Sequence, residues 1–151
     1  MQAALDRSGF GLQAIRLSRC ARSVRDAARA LGCEPGAVVK SLVFRGVRTG
    51  KAYLAEVSGA HRVNLDLLGQ AAGEELEMAP PEFVLSQTGF PVGGVAPVGL
   101  RTPIDVFVDE SLLSRKEIWA AAGSDRSMFR LTPSQLLQIT GGKPIRLADA
   151  E

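Results

Sequence analysis

Cysteine and histidine are scarce in this sequence, which limits the chemistry that it can support. The chain holds two cysteines, Cys20 and Cys33, and one histidine, His61. The cysteines lack the Cys-x-x-Cys spacing that zinc sites and redox centres use. We therefore predict no metal site, and we expect two free thiols in a reducing cytoplasm, although the sequence alone permits a disulfide between them.

A long hydrophobic run and a large excess of one charge are also absent. No apolar segment reaches the roughly 18 residues at which a membrane-spanning helix becomes possible, and no secretory leader is recognisable. Because 18 basic and 16 acidic residues leave a formal net charge of +2, no global field draws the protein to nucleic acid or to a membrane. We therefore expect a cytoplasmic protein without a membrane partner, in which any basic site is local.

The length and the turn signals predict one α+β domain. A chain of 151 residues with 46% hydrophobic residues can close one sizeable core, and no linker or repeat divides residues 1–151. Residues 38–44 and 51–57 are two apolar, β-branched runs separated by Arg48-Thr49-Gly50, a pattern typical of a β-hairpin. Strands joined by tight turns favour a mixed, mostly antiparallel sheet surrounded by helices.

Capping residues predict where the helices begin and end. Ser23 with Asp26 three residues later resembles a capping box, and Gly32 is placed to end that helix. A weak helix is predicted before residue 12, and the remaining predicted helices cover 64–72, 80–87 and 132–140. The remaining predicted strands cover 12–17, 104–108 and 117–121.

One lysine interrupts an apolar strand. Lys40 stands in the predicted 38–44 strand, and its period-2 neighbours Val38 and Leu42 are both apolar. An ammonium group in such a strand needs a partner or an open cleft. Lys40 is therefore a candidate site residue. The alternative is that its stem lies along apolar surface while its ammonium reaches water at a sheet edge.

A glycine-rich loop is the second unusual feature. Residues 88–99 contain four glycines and two prolines but are otherwise largely apolar, which is not typical of a flexible linker. Gly93-Gly94-Val95-Ala96-Pro97, at its centre, can present backbone N–H groups to a carbonyl or an oxyanion. The alternative is an ordinary turn between a helix and a strand. The loop matches no phosphate-binding glycine motif, so nucleotide binding is not indicated.

Standard nucleophile arrangements are weak. A single histidine, His61, in a polar turn is more typical of a solvated residue than of a general base. Ser41 adjoins Lys40, but successive side chains of a strand point to opposite faces, which disfavours a Ser–Lys dyad. No paired carboxylates stand out in the sequence.

A local basic patch is the third candidate. If residues 24–31 form a helix, Arg22, Arg25 and Arg29 follow the spacing of one helical face. These arginines could face phosphates of a nucleic acid, and the alternative is a solvated helix face. Aromatic residues do not alternate with them, so base stacking is not predicted.

Taken together, these segments resemble the YbaK family, the editing domains associated with prolyl-tRNA synthetase. The matching segments, in the family's order, are residues 32–44 with Lys40, Val57-Ser58-Gly59 followed by Arg62-Val63-Asn64-Leu65, residues 88–99, and residues 131–137. They span almost the whole chain. The strand lysine followed some fifty residues later by a Gly-Gly-x-x-Pro loop is the most specific pair among them.

The resemblance implies a fold, an activity and a set of site residues. It implies a central mixed, barrel-like sheet with surrounding helices, and hydrolysis of the ester that joins a wrong amino acid to tRNA, without a metal or organic cofactor. By the resemblance Lys40, Gly93 and Gly94 are the catalytic residues. The predicted substrate-binding residues are Val95, Ala96, Pro97, Thr88 and Ser58. The predicted tRNA-binding residues, Arg22, Arg25 and Arg29, come from the helical spacing and not from the resemblance.

Three functions follow as hypotheses. The first is a free-standing trans-editing deacylase that acts on the acceptor end of tRNA carrying a small amino acid, of the Ala, Cys, Ser or Thr class. The second is a non-catalytic module that binds aminoacyl-tRNA or a synthetase, and the third is a small-molecule hydrolase on the same scaffold. Position 96 is alanine where relatives close to YbaK itself carry serine, so the resemblance does not identify the amino acid.

Overall fold

The computed structural model describes residues 1–148, which form five α-helices and eight β-strands. The helices are α1 (Gln2–Arg7), α2 (Val24–Leu31), α3 (Leu65–Ala72), α4 (Pro81–Thr88) and α5 (Pro133–Thr140). The strands are β1 (Ala14–Arg16), β2 (Val39–Gly46), β3 (Ala52–Ser58), β4 (Leu76–Met78), β5 (Asp105–Asp109), β6 (Ile118–Ser124), β7 (Ser127–Leu131) and β8 (Lys143–Ile145). Short 3-10 helices cover Pro35–Ala37 and Glu110–Ser114.

The strands form two sheets, and the predicted α+β class is confirmed. The larger sheet has the order β4-β2-β3-β5-β8, and the smaller has the order β1-β7-β6. The pairs β3–β5 and β5–β8 are parallel and the others are antiparallel, which makes the larger sheet mixed, as predicted. The single central sheet becomes two, linked by an isolated bridge between Val38 and Trp119, so the barrel is not closed.

Capping chemistry explains why the predicted helices form where they do. The Ser23 hydroxyl accepts the N–H of Asp26 at 3.1 Å, and Gly32 ends α2 in the left-handed conformation with φ of 68°. Thr132 and Gln135 form a reciprocal capping box at the start of α5. None of the helices within residues 1–148 is long and apolar enough to cross a bilayer.

Two apolar clusters hold the larger sheet from its two faces. The main core lies between the sheets, where Val39, Val43 and Leu54 pack with Ile118 and Phe129. On the opposite face, Phe44, Tyr53 and Val57 pack with Leu68 of α3. Successive residues of β2 and β3 therefore serve different cores, which explains why both strands are apolar on both faces.

The β2–β3 hairpin is fixed in register at its turn by Glu74. The Glu74 carboxylate accepts hydrogen bonds from the hydroxyls of Thr49 (2.6 Å) and Tyr53 (2.7 Å), and from the N–H groups of Arg48 and Thr49. The Thr49 and Tyr53 hydroxyls are the main cause that lowers the pKa of Glu74 to about 2. The turn is therefore closed by a carboxylate from outside the hairpin.

Gly59 allows the chain to leave β3 close to the start of β2. A Cβ atom at this position would lie 2.3 Å from the Pro35 carbonyl oxygen, 2.5 Å from a methyl of Val24 and 2.9 Å from the Val38 carbonyl oxygen. Two of these atoms belong to the backbone and cannot rotate away. The 59–63 segment is therefore held against α2 and β2 only if residue 59 has no side chain.

We expect Gly59→Ala to destabilise the fold by roughly 1–3 kcal/mol, because the added methyl group overpacks a backbone contact. Urea denaturation of the variant measures the change. Ala60→Ser is the matched control, since Ala60 is exposed and should shift the unfolding free energy by less than about 0.5 kcal/mol. Equal stability of Gly59→Ala and wild type would contradict the close packing of this segment.

Candidate functional site

A cavity of about 450 Å³ opens between the edge of β2, the start of α2 and the glycine-rich loop. Its walls are mostly apolar, with Val39, Val43, Val84 and Met128 among them. The polar and charged residues that line it are Lys40, Ser41, Arg22, Ser23, Ser124 and Asp125. The structure therefore brings Lys40 and the glycine-rich loop to one concave site of the size at which small-molecule ligands bind.

The β2 edge gives this cavity unpaired backbone. The Val43 carbonyl accepts the N–H of Ala79 on the β4 side, whereas the N–H of Gly46 and the carbonyl of Val38 bond toward β3. Because backbone groups alternate along a strand, the N–H and C=O of Ser41 point to the same edge as those of Val43. Within the described chain, the contact with β4 covers residues 44–46 and ends at the Val43 carbonyl, so the edge at Ser41 is left to the cavity.

Lys40 lines the cavity and is anchored by a loop carbonyl. Its Nζ donates a hydrogen bond to the carbonyl oxygen of His61. Burial lowers the pKa of the Lys40 ammonium, the nearby Arg62 lowers it further, and Asp109 opposes both. Because an ammonium carries three N–H donors, two remain after the bond to His61.

His61 is part of a partly buried hydrogen-bond network. Its Nδ1 lies 3.1 Å from Oδ2 of Asp109 and 3.1 Å from Oγ of Ser111. Burial raises the pKa of Asp109, but hydrogen bonds from His61, Ser111 and the Ser58 N–H outweigh it, so the pKa is lowered. The imidazole is partly exposed, and these contacts fix the ring and place the carbonyl that anchors Lys40.

Glu56 is a buried acid that the sequence reading passed over. It is 0% exposed, its Oε2 accepts the Ser41 hydroxyl at 2.6 Å, and its Oε1 has no hydrogen-bond partner among the described residues. Burial is the main cause that raises its pKa to about 7, and the Ser41 hydroxyl opposes this. A single acid in the apolar run 52–57 is the same kind of anomaly as Lys40, so the signal was available.

The two central glycines of the loop, Gly93 and Gly94, are required for different structural reasons. Gly93 is exposed, lines the cavity and has φ of 87°, which favours glycine. Gly94 is buried, its N–H donates to the Pro91 carbonyl at 2.9 Å, and a Cβ would lie 2.8 Å from Cα of Ser124. Gly94 therefore lets the loop pack on the end of β6, whereas Gly93 faces the cavity.

The remaining predicted substrate residues divide between the cavity wall and the supporting structure. Val95 lines the cavity, while Ala96 and Pro97 are buried behind it and do not. The Thr88 hydroxyl donates to the Val84 carbonyl at 2.7 Å, and the Ser58 hydroxyl donates to the Gly36 carbonyl at 2.9 Å. The structure therefore places Thr88 and Ser58 away from the cavity, with both hydroxyls bonded to backbone.

The three predicted arginines are all exposed, but they occupy two settings. Arg25 and Arg29 lie one turn apart on α2, as the helix prediction required. Arg22 precedes the N-cap residue Ser23 and lines the cavity. The patch thus begins at the cavity and continues along the outer face of α2.

Nucleophile and metal chemistry find little support in the described part of the chain. Cys20 and Cys33 are both free, burial raises the pKa of the Cys33 thiol, and neither cysteine is among the residues that line the cavity. Within residues 1–148, no group of three or more histidine, cysteine or acidic side chains is arranged to hold a metal ion.

Comparison with known proteins supplies the family. The family model described as "Aminoacyl-tRNA editing domain" matches residues 19–139. A solved structure named as a candidate trans-editing enzyme for prolyl-tRNA synthetase superposes with a TM-score of 0.93 at 45% identity, covering 99% of this chain and 94% of the other.

Curated relatives agree with this match. The uncharacterised protein YwhH of Bacillus subtilis is 33% identical over 121 residues, which is 80% of this chain and 76% of YwhH. A candidate Cys-tRNA(Pro)/Cys-tRNA(Cys) deacylase, EbsC of Enterococcus faecalis, is 29% identical over 80% of this chain and 74% of its own length. The proline–tRNA ligase of Pelobacter propionicus is 35% identical over 60% of this chain but only 16% of the ligase.

The fold, the strand lysine beside a glycine-rich loop at one cavity, and the match over residues 19–139 agree, and the chain belongs to the aminoacyl-tRNA editing domain family.

Proposed function

We propose that the protein is a trans-editing deacylase that hydrolyses the ester bond between tRNA and a small, wrongly attached amino acid. One observation carries the proposal: Lys40 and the Gly93 loop line the same largely apolar cavity in a chain of the aminoacyl-tRNA editing family. Lys40 would contact the reacting ester, and Gly93 and Val95 would form the wall opposite it.

An ester hydrolase can work here without a protein nucleophile. An aminoacyl ester is already activated, so positioning of water and polarisation of the carbonyl are sufficient. Neither histidine nor cysteine is among the described residues that line the cavity. In the proposed mechanism, the remaining N–H donors of Lys40 stabilise the oxyanion as water attacks, while the His61 carbonyl anchors the ammonium.

The cavity favours a small amino acid with the end of a tRNA at its mouth. Val39, Val43 and Val84 are buried residues of the cavity wall, and in the proposal they surround a short side chain. At the mouth, Met78 and Val92 are each 63% exposed and give apolar surface for the terminal nucleoside. The names of the EbsC and trans-editing relatives direct the search to cysteine and to tRNA(Pro) first.

The alternative is a non-catalytic module that binds aminoacyl-tRNA or a synthetase. The lack of a histidine or cysteine in the described cavity wall favours it, because histidine is the most frequent general base and cysteine a frequent nucleophile in such sites. Release of labelled amino acid from tRNA(Pro) and other tRNAs charged with Ala, Cys, Ser or Thr separates the two. Deacylation of at least one substrate supports the enzyme, whereas tight binding without release supports the module.

We expect Lys40→Met to lower the deacylation rate by about 100-fold or more, since the variant loses the proposed oxyanion donor. The unfolding free energy should change by less than about 1 kcal/mol, because loss of the bond to His61 and relief of ammonium desolvation oppose each other. Single-turnover deacylation and urea denaturation measure the two quantities.

Lys51→Met is the control for Lys40→Met. Lys51 is exposed and paired with Asp105 at 2.6 Å, outside the cavity, so its removal should leave deacylation unchanged. Wild-type turnover in Lys40→Met would show that this lysine only anchors the 59–63 segment.

We expect the triple replacement of Arg22, Arg25 and Arg29 by Gln to raise the KM for aminoacyl-tRNA while kcat changes little. Phosphate contacts position the substrate rather than stabilise its transition state. Each lost contact should reduce the slope of log affinity against log salt by roughly 0.7–0.9. Steady-state kinetics at several salt concentrations measures both effects.

A variant that loses positive charge at another surface controls for the change in net charge in the triple arginine variant. Arg45 and Lys51 form ion pairs with Glu77 (2.8 Å) and Asp105 (2.6 Å). Replacing these two cations by Gln should therefore alter the salt slope less than the triple replacement of Arg22, Arg25 and Arg29 does. If the triple arginine variant keeps the wild-type KM and the wild-type salt slope, tRNA approaches from another side. The hairpin cations Arg45, Arg48 and Lys51 then become the next candidates.

A further inference from the structure

The cavity wall contains one buried acid and one hydroxyl that the deacylation mechanism does not use. Ser41 lines the cavity, and its hydroxyl donates to Oε2 of the fully buried Glu56 at 2.6 Å. Because the only proton of Ser41 is directed at Glu56, the lone pairs of its oxygen are free to accept a hydrogen bond from a ligand. The pair therefore presents an acceptor to the cavity, supported by a carboxyl group.

Glu56 has no compensating cation in the described structure. Its second oxygen, Oε1, is buried without a hydrogen-bond partner, and no charged residue contributes to its pKa. A buried acid of this kind is costly unless a ligand or partner completes it. The orphaned carboxyl thus suggests a positive group that arrives with the substrate.

The charges around the cavity are arranged for a substrate with two poles. Lys40 is a cation that suits the ester carbonyl of an aminoacyl-tRNA, and Arg22 is a cation that suits its phosphates. The α-ammonium is the one cationic group of the aminoacyl end, and it needs an acceptor in a wall that is otherwise mostly apolar. Ser41 with Glu56 behind it is such an acceptor. The backbone C=O of Ser41, which by strand alternation points to the same edge as that of Val43, adds a second one.

On the basis of the proposed function, we propose that Ser41 and Glu56 form the binding site for the α-ammonium of the aminoacyl group, with Ser41 in contact and Glu56 as the positioning residue. The substrate N–H donates to Oγ of Ser41, and Glu56 orients that oxygen and supplies the opposite charge. The site therefore selects a free amino group whatever the side chain is.

N-acetylated aminoacyl-tRNA provides the test, because it keeps the ester, the side chain and the tRNA but loses the positive charge. Wild type should hydrolyse the free-amino substrate about tenfold or more faster in kcat/KM than the acetylated one, the loss expected for a charge-assisted hydrogen bond. Ser41→Ala and Glu56→Gln should bring this ratio close to one, mainly through KM. Glu117→Gln, an exposed acid outside the cavity, should keep the wild-type ratio.

The rival acceptor is Asp125, an exposed carboxylate that also lines the cavity. If Asp125→Asn removes the preference while Glu56→Gln keeps it, the assignment to Ser41 and Glu56 is overturned. A wild-type enzyme that hydrolyses both substrates equally well overturns it too, and leaves the deacylase proposal intact.

Binding of stable amide analogues tests the ammonium site even if the protein hydrolyses no aminoacyl-tRNA. Calorimetry with 3′-aminoacylamino-adenosine, free or N-acetylated, reports amino-group recognition without hydrolysis. If no mischarged tRNA is hydrolysed but wild type still prefers the free amine and Glu56→Gln does not, the deacylase proposal fails and the ammonium site stands. Equal binding of both analogues by wild type contradicts the ammonium site.

A stability measurement checks that Glu56 is the buried, uncompensated acid that the site requires. Its neighbours on this face are Ser41, Leu54, Ser58 and Val108, and the second sheet contributes apolar residues to the same core, so none of these neighbours carries an ionisable side chain. Its folded pKa of about 7 lies above the ordinary value of 4.5.

The sign of the expected pH effect follows from that raised pKa. The contribution of Glu56 to the free energy of unfolding is fully present below its pKa in the unfolded chain. It is lost as the pH rises through its folded-state pKa of about 7. The urea midpoint of wild type should therefore fall relative to that of Glu56→Gln between pH 5 and pH 8. A difference that does not change with pH would mean that Glu56 is already neutralised by another group, and would overturn the proposal.

Discussion

The antiparallel register of β2 with β3 is the constraint on which the site depends. It places Ser41 opposite Glu56 on the face between the sheets, and Lys40 opposite Val57 on the other face. A slip of one residue would move every side chain to the wrong face and bring the lysine into the main core. Glu74 holds the turn of this hairpin, so an acid far from the cavity helps to set the register that the cavity requires.

The position of Lys40 also depends on the chain that follows β3. Gly59 lets that chain pass against the Pro35 and Val38 carbonyls, and Asp109 fixes His61 through its ring. The His61 carbonyl then accepts a hydrogen bond from the ammonium. A partly desolvated lysine is thus supported by backbone rather than by a direct ion pair, which leaves N–H donors for the proposed substrate.

Much of the fold could be predicted from the sequence because its signals are local. The hairpin, α2 with its Ser23 cap, and α3 to α5 follow from periodicity and capping residues, and the structure confirms them. β4, β7 and β8 were not predicted: β4 and β8 have only three residues each, and β7 lies beyond the predicted 117–121 strand. The division into two sheets was missed because it depends on how β6 and β7 pair with β1, a contact distant in sequence.

The candidate site was only partly predictable for the same reason. Lys40 and Gly93 stood out as local anomalies, and the structure brings both to one cavity. Thr88 and Ser58 have hydroxyls that could serve a substrate or the backbone, and only the structure shows them bonded to carbonyls. Glu56 gave the same signal as Lys40, but its partner Ser41 lies fifteen residues away and is found only from the strand register.

The central claim is that the aminoacyl end of a tRNA occupies the cavity between the β2 edge and the Gly93 loop. Titration of ¹⁵N-labelled protein with a stable 3′-aminoacylamino-adenosine, followed by NMR, tests it most directly. The account predicts saturable shifts of the backbone N–H signals of residues 40–43 and 93–95, with α5 and β8 unaffected. Shifts confined to other surfaces, with the Ser41 and Gly93 signals unchanged, would contradict it.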